Sequence, residues 1–91
     1  MKRTEVLKAA EKAVNGQRDQ AYGKPENNFA IIADLWSAYK GVPFTRLDVA
    51  SMMACVKLAR IRTGPEQADS FVDLAGYAAC AAEVAEFELK K

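Results

Sequence analysis

Apolar residues recur at every third or fourth position along most of the chain, which is the spacing of one face of an α-helix. The first such segment begins near Thr4, a residue type that caps helices, and ends at Asn15-Gly16. No alternation of apolar and polar residues typical of a β-strand persists for five positions. The pattern therefore predicts an all-α fold. The apolar positions of the first helix are Val6, Leu7, Ala10 and Val14.

A polar segment over 17–24 separates this helix from the next, and we expect a helical turn followed by a loop there. The second helix is predicted to start at Pro25, whose missing N–H costs nothing in a first turn, and to end at Gly41 and Pro43. Its apolar stripe consists of Phe29, Ile32, Ala33 and Trp36, broadened by Ile31, Leu35 and Tyr39.

Two further helices complete the pattern. The third opens with Thr45 and Asp48, which resemble a capping box, and closes at Gly64-Pro65. The fourth runs from about Gln67 to Leu89 and is rich in small residues. We therefore expect a compact bundle of about four helices, forming a single domain over residues 1–91. The predicted core faces are Val49, Met52, Met53, Val56 and Ala59 or Arg60 in the third helix, and Phe71, Leu74, Ala75, Ala78, Ala82 and Ala85 in the fourth.

Composition narrows the functional classes. The net charge of +1 does not resemble the basic footprint of most nucleic-acid-binding domains, so nucleic acid is not an expected partner. The chain has no histidine, the commonest zinc ligand and general base. Cys55 and Cys80 each lie in an apolar helical run, where free thiols are common. We therefore expect both to be reduced thiols, as in a cytosolic protein. With no membrane-length apolar run and no secretory signal, we expect a cytoplasmic protein.

Asp69 and Asp73 lie four residues apart and share a face of the last helix, which Tyr77 continues one turn later. Like charges at this spacing repel, so a compensating group is expected. In one interpretation Asp69 stabilises the helix N-terminus and Asp73 pairs with an arginine. In the other, the two carboxylates bind Mg²⁺, which prefers oxygen ligands and often takes only one or two carboxylates plus substrate phosphates.

Positive and polar side chains offer partners for such a site. Lys57 and Arg60 either stabilise the C-terminal end of the third helix or bind phosphate groups. Arg18 and Tyr22 either form a structural turn or contribute to an anion site at the start of the second helix. Asn28, in the first turn of that helix, either caps it locally or contacts a base or metal.

The order of these residues resembles a phage and prophage family of small uncharacterised proteins. The resemblance covers about residues 5 to 86 and includes Arg18-x3-Tyr22-Gly23-x-Pro25, Asn28-Phe29, Lys57-x-Ala59-Arg60 and Asp69-x3-Asp73-Leu74-Ala75-Gly76-Tyr77. That family in turn is distantly similar to the MazG-like all-α nucleoside triphosphate pyrophosphohydrolases. These enzymes bind magnesium through a Glu-x-x-Glu motif and a later Glu-x-x-Asp motif. Asp69 and Asp73 are a loose counterpart of the later motif, and the earlier one has no paired counterpart here.

Two functions follow from the resemblance. We expect a non-catalytic phage accessory protein, in the host cytoplasm, that binds a host protein or a nucleotide. The alternative is a magnesium-dependent (deoxy)nucleoside triphosphate pyrophosphohydrolase, in which Asp48 joins Asp69 and Asp73 as a metal ligand. Lys57, Arg60 and Arg18 would then bind phosphates. A thin core and the alanine-rich last helix also favour a homodimer.

Overall fold

The protein forms four α-helices in a computed structural model that describes residues 1–16 and 23–90. The helices are α1 (Arg3–Asn15), α2 (Pro25–Lys40), α3 (Arg46–Thr63) and α4 (Ala68–Leu89). The described ranges contain no β-strand. The all-α prediction with four helices is thereby confirmed, and each helix begins and ends close to its predicted positions. Thr4, predicted to cap α1, lies inside that helix, and the N-cap is Lys2.

The connection between α2 and α3 is ordered by short-range hydrogen bonds. Gly41 ends α2 with a positive φ of 72°, and its N–H donates to the Ser37 carbonyl at 2.8 Å. The Ser37 hydroxyl accepts a hydrogen bond from the Phe44 N–H at 2.9 Å. The predicted capping box is confirmed: the Thr45 Oγ1 accepts from the Asp48 N–H at 3.0 Å, and the Asp48 Oδ2 accepts from the Thr45 N–H at 2.8 Å. The turn therefore sets the direction in which α3 leaves α2.

Helix α4 is the central element, because each of the other three helices packs against it. Helix α3 runs antiparallel to α4, since Arg46 at its start contacts Glu88 and Lys57 in its fourth turn contacts Asp73. Helix α1 packs mainly against α4. This arrangement leaves a recess between α1 and α3 on the surface of α4.

The core lies where α2, α3 and α4 meet. Phe29, Val49 and Val84 are almost completely buried there. Tyr77 stacks near Phe29 with ring centroids 6.4 Å apart, and Trp36 meets Phe44 edge to face at 6.0 Å. The smaller buried residues of this cluster are Ala33, Ala50 and Cys80.

The prediction of which side of the last helix is buried is wrong. Its predicted residues remain at least partly accessible, and Phe71, Ala78 and Ala82 are exposed. Because α4 carries apolar residues on nearly every side, its periodicity does not single out one face. Packing against three other helices selects the face instead. The residues of α4 that become buried are Ser70, Gly76, Cys80 and Val84.

Several other predicted core positions are also exposed. Met52 and Val56 of α3 are each 41 % exposed, whereas Val49 is buried as predicted, together with Ala50. Leu7 of α1 is exposed as well, and only Ala10 of that helix is buried. On α2, Phe29 and Ala33 are buried as predicted, with Ile32 and Trp36 packed beside them. Ile31, Leu35 and Tyr39, which were predicted to widen the apolar stripe of this helix, are all exposed.

Replacing Phe29 by alanine tests which apolar residues of α2 are buried and which are exposed. Phe29 is 1 % exposed, so Phe29→Ala should lower the free energy of unfolding by about 3–5 kcal/mol. Leu35→Ala on the same helix removes a side chain that is 64 % exposed and should change it by less than about 1 kcal/mol. Urea unfolding followed by circular dichroism measures both. Equal losses in the two variants would contradict the observed packing of α2.

Candidate functional site

An ion pair joins α3 to α4 beside the recess left by α1. The Lys57 Nζ lies 2.9 Å from the Asp73 Oδ2. The Lys57 side chain is only 13 % exposed, whereas that of Asp73 is 44 % exposed. The aliphatic part of the lysine is therefore buried while its ammonium reaches a partly hydrated carboxylate. The structure therefore pairs Asp73 with Lys57. One interpretation of the sequence had paired Asp73 with an arginine instead.

A pocket of about 270 Å³ lies next to this ion pair, between α1, α3 and α4. Three predicted site residues, Lys57, Asp73 and Tyr77, line it together. The rest of its described lining is mostly small and apolar. Among the described residues, the lining consists of Ala13, Val14, Lys57, Val72, Asp73, Gly76, Tyr77 and Cys80.

Gly76 determines how closely α1 approaches α4 at this pocket. A Cβ atom on Gly76 would lie 3.3 Å from the Val14 Cγ1, which is tighter than ordinary van der Waals contact. Glycine in the middle of a helix is destabilising by roughly 0.5–1 kcal/mol relative to alanine. The close approach gives a physical reason for glycine at this position, since it lets Ala13 and Val14 form one wall.

The three aspartates of the predicted metal site are not brought together. Asp69 is exposed in the first turn of α4, where an acid is stabilised by the helix dipole. Asp48 is held by the Thr45 capping box at the other end of α3. It lies nine residues before Lys57, or roughly 13 Å along the helix axis. Within the part of the chain that the structure describes, no three Asp, Glu, Cys or His side chains could jointly hold a metal ion.

The remaining predicted residues lie elsewhere. Arg60 is exposed in the last turn of α3, and Asn28 is half-buried near the start of α2; neither lines the pocket. Helix α2 begins without a side-chain hydrogen bond at its N-cap, Lys24. Arg18 and Tyr22 lie outside the described residues.

Sequence reasoning missed the small and apolar half of the pocket. Ala13 and Val14 come from α1, and Val72, Gly76 and Cys80 come from α4. The packing of α1 on α4 brings Ala13 and Val14 to the pocket, and the packing of α3 on α4 brings the α4 residues beside Lys57. The glycine in an otherwise alanine-rich segment is the one local signal of a close approach.

Comparison with known proteins places this all-α chain in a family. The model of a domain of unknown function, DUF6378, matches residues 5–85, so the chain belongs to this family. The expected resemblance to a phage family of small proteins is confirmed by the relatives described next. No solved structure matches the chain.

Two phage proteins are similar to this chain. One is the Gene 55 protein of Mycobacterium phage L5, 50% identical over 74 residues, which cover 80% of this chain and 47% of the relative. The other is the Gene 55 protein of Mycobacterium phage D29, 38% identical over 81 residues, which cover 89% of this chain and 54% of the relative. The chain therefore spans about half the length of these curated relatives.

Over the described residues, no helix is both long enough and apolar enough to cross a membrane.

A double-mutant cycle measures the ion pair that borders the pocket. Lys57→Met and Asp73→Asn, alone and combined, should give a coupling energy of about 1 kcal/mol, because Asp73 is partly screened by water. The exposed pair Lys90–Glu86 is the control and should couple less strongly. Chemical denaturation of the four proteins in each cycle provides the values. Strictly additive losses in the first cycle would show that the pair does not stabilise α3 on α4.

Proposed function

We propose that this phage-family protein is a non-catalytic binder of a nucleotide, and that the pocket between α1, α3 and α4 holds the phosphate end of the ligand. The observation that carries the proposal is the convergence of Lys57, Asp73 and Tyr77 on one pocket. These side chains supply a cation, a carboxylate and an aromatic ring. Those are the groups needed for a phosphate, a divalent metal and a ribose or base.

The ion pair gives this pocket a way to accept an anion. Phosphate oxygens compete with the Asp73 carboxylate for the Lys57 ammonium, and the partly exposed Asp73 can turn towards water. The buried stem of Lys57 keeps its ammonium near the pocket, so little side-chain entropy is lost on binding.

Magnesium fits this pocket as a partner of the ligand rather than as a cation enclosed by the protein. Mg²⁺ is often bound through one or two carboxylates together with phosphate oxygens and water. The Asp73 carboxylate is the group that would hold it here, and the metal would supply charge neutralisation. Asp69, one turn earlier on α4, is exposed to solvent and would act at most through that water shell.

The volume of the pocket limits which part of the ligand can enter it. A volume of about 270 Å³ is at the lower limit of typical small-molecule pockets, which begin near roughly 300 Å³. A phosphate and ribose fit within it, and the base remains at the mouth. Stacking near Phe29 holds the Tyr77 ring at one wall, where it can contact the sugar.

A second candidate function is a magnesium-dependent (deoxy)nucleoside triphosphate pyrophosphohydrolase, as the resemblance to MazG-like enzymes implies. The presence of Asp73 in the pocket, with Asp69 one turn away, favours it. The position of Asp48 in a capping box at the far end of α3 counts against the three-aspartate version.

The predicted homodimer and binding of a host protein remain proposals that concern the outer side of α4. That side presents Phe71, Ala78 and Ala82, all exposed, and Leu89 near the helix end is 88 % exposed. Apolar residues at this spacing support helix–helix association. Sedimentation equilibrium of the purified chain would determine its oligomeric state.

Isothermal titration calorimetry tests nucleotide binding directly. We expect nucleoside mono-, di- or triphosphates to bind in the presence of Mg²⁺, and Lys57→Met to weaken binding about tenfold or more. A hydrogen bond to a charged group contributes about 1.5–3 kcal/mol, which is the source of this expectation. Lys40→Met and Glu83→Gln, both exposed and away from the pocket, are the matched controls. Failure of the wild type to bind any nucleotide would reject the proposal.

Pyrophosphate release from the same nucleotide panel separates the two candidates. A non-catalytic binder releases none above the level of a protein-free blank. Release by the wild type that Asp73→Asn abolishes would establish the hydrolase instead. Release that Asp73→Asn leaves unchanged would exclude Asp73 as a catalytic metal ligand.

A further inference from the structure

The pocket beside Lys57 offers two recognition groups at different levels of α4. The Asp73 carboxylate, 2.9 Å from the Lys57 ammonium, marks the level at which an anion binds. Tyr77 follows four residues later, so it lies one helical turn, or roughly 6 Å, further along the helix axis. Both levels belong to one pocket of about 270 Å³. A ligand that uses both groups therefore carries its anion about one turn away from the group that meets the tyrosine ring.

A sugar with a single phosphate ester has this spacing. In a nucleoside 5′-monophosphate, one ester oxygen and one methylene carbon separate the phosphorus from the ribose ring. With the phosphate at the Lys57 ammonium, the ribose lies at the level of Tyr77, whose ring stacks near Phe29 at the pocket wall. The phosphate and the sugar then both lie inside the pocket.

The charges around the pocket limit the number of phosphate groups. Lys57 is the one cation among the described residues that line it, and Asp73 balances its charge. The next cation along α3, Arg60, is exposed and lies outside that lining. Because α3 and α4 are antiparallel, Asp69, one turn before Asp73, lies towards the same end of the helix pair as Arg60. Each further phosphate would therefore add negative charge where the described charges already balance.

A nucleoside triphosphate can enter this pocket in two ways, and each loses part of the fit. If its terminal phosphate reaches the Lys57 ammonium, two more phosphate groups separate that phosphate from the sugar. The ribose then lies outside the pocket and loses its contact with Tyr77. If the phosphate next to the sugar reaches Lys57 instead, the other two extend past Asp73 towards Asp69, and the carboxylates repel them.

We propose that the ligand of this pocket is a nucleoside 5′-monophosphate rather than a triphosphate, an inference that rests on the nucleotide-binding function proposed above. The Lys57 ammonium donates to the phosphate oxygens, the Tyr77 ring contacts the ribose, and the base remains at the mouth. A monophosphate has no phosphoanhydride bond, so a site with this preference retains its ligand without a bond of that kind to hydrolyse.

Isothermal titration calorimetry with the 5′-mono- and 5′-triphosphates of the common ribo- and deoxyribonucleosides tests this selectivity. For each base that binds, the monophosphate should bind about fivefold or more tightly than the triphosphate, because the triphosphate loses the ring contact or meets the carboxylates. The same order is expected in Mg²⁺ and in EDTA.

Smaller probes separate the phosphate contact from the sugar contact. Ribose 5-phosphate should bind more tightly than inorganic phosphate, and Tyr77→Leu should remove that difference. Tyr77→Leu should leave the affinity for inorganic phosphate unchanged, which also shows that the variant is folded. Tyr39→Leu is the matched control, because Tyr39 is 86 % exposed on α2 and lies outside the described lining of the pocket. It should bind every probe like the wild type.

The outcomes distinguish this inference from the function on which it rests. A triphosphate that binds as tightly as the monophosphate of the same base would overturn the inference and leave nucleotide binding intact. A preference for ribose 5-phosphate that survives Tyr77→Leu would do the same. Ribose 5-phosphate that binds more tightly than every nucleotide would identify a free sugar phosphate as the ligand and reject the nucleotide. If no nucleotide binds, the proposed function fails together with the inference.

Discussion

The antiparallel packing of α3 on α4 is the contact on which the rest of the molecule depends. Val49 and Ala50 from α3 share the core with Cys80 and Val84 from α4. Ion pairs lie towards both ends of this contact, Arg46 with Glu88 and Lys57 with Asp73. Burial of apolar surface provides most of the stabilisation, and the ion pairs contribute less because their carboxylates are partly exposed. The pocket between α1, α3 and α4 lies along this contact and includes the second of these ion pairs.

Much of the fold could be predicted from local sequence, because helix boundaries depend on a few residues. The Thr45–Asp48 capping box and the Pro25 start identify where two helices begin, and Gly41 identifies where one ends. The buried face of α4 could not be predicted in this way. When a helix is apolar on nearly all sides, the helices that pack on it determine which face is buried. The spacing of its own apolar residues does not identify that face.

The candidate site shows the same limit. The spacing of Asp73 and Tyr77 predicted correctly that they share a side of α4, and both reach one pocket with Lys57. The resemblance to MazG-like enzymes suggested Asp48 as a third ligand beside Asp69 and Asp73, whereas its carboxylate caps its own helix terminus. Local capping accounts for an acid at that position without any ligand. The wall formed by Ala13 and Val14 depends on long-range packing, which a single sequence does not reveal.

The attachment of α1 has a consequence for the order in which the molecule opens. Within the described residues α1 buries only Ala10 and rests mainly on α4, whereas α2, α3 and α4 share the larger core. Elements with few buried contacts separate at a lower free energy than the whole domain unfolds. Backbone amides of α1 should therefore exchange with solvent deuterium sooner than those around Cys80 and Val84. Each such opening removes the wall formed by Ala13 and Val14, so the integrity of the Lys57 pocket depends on the local stability of α1.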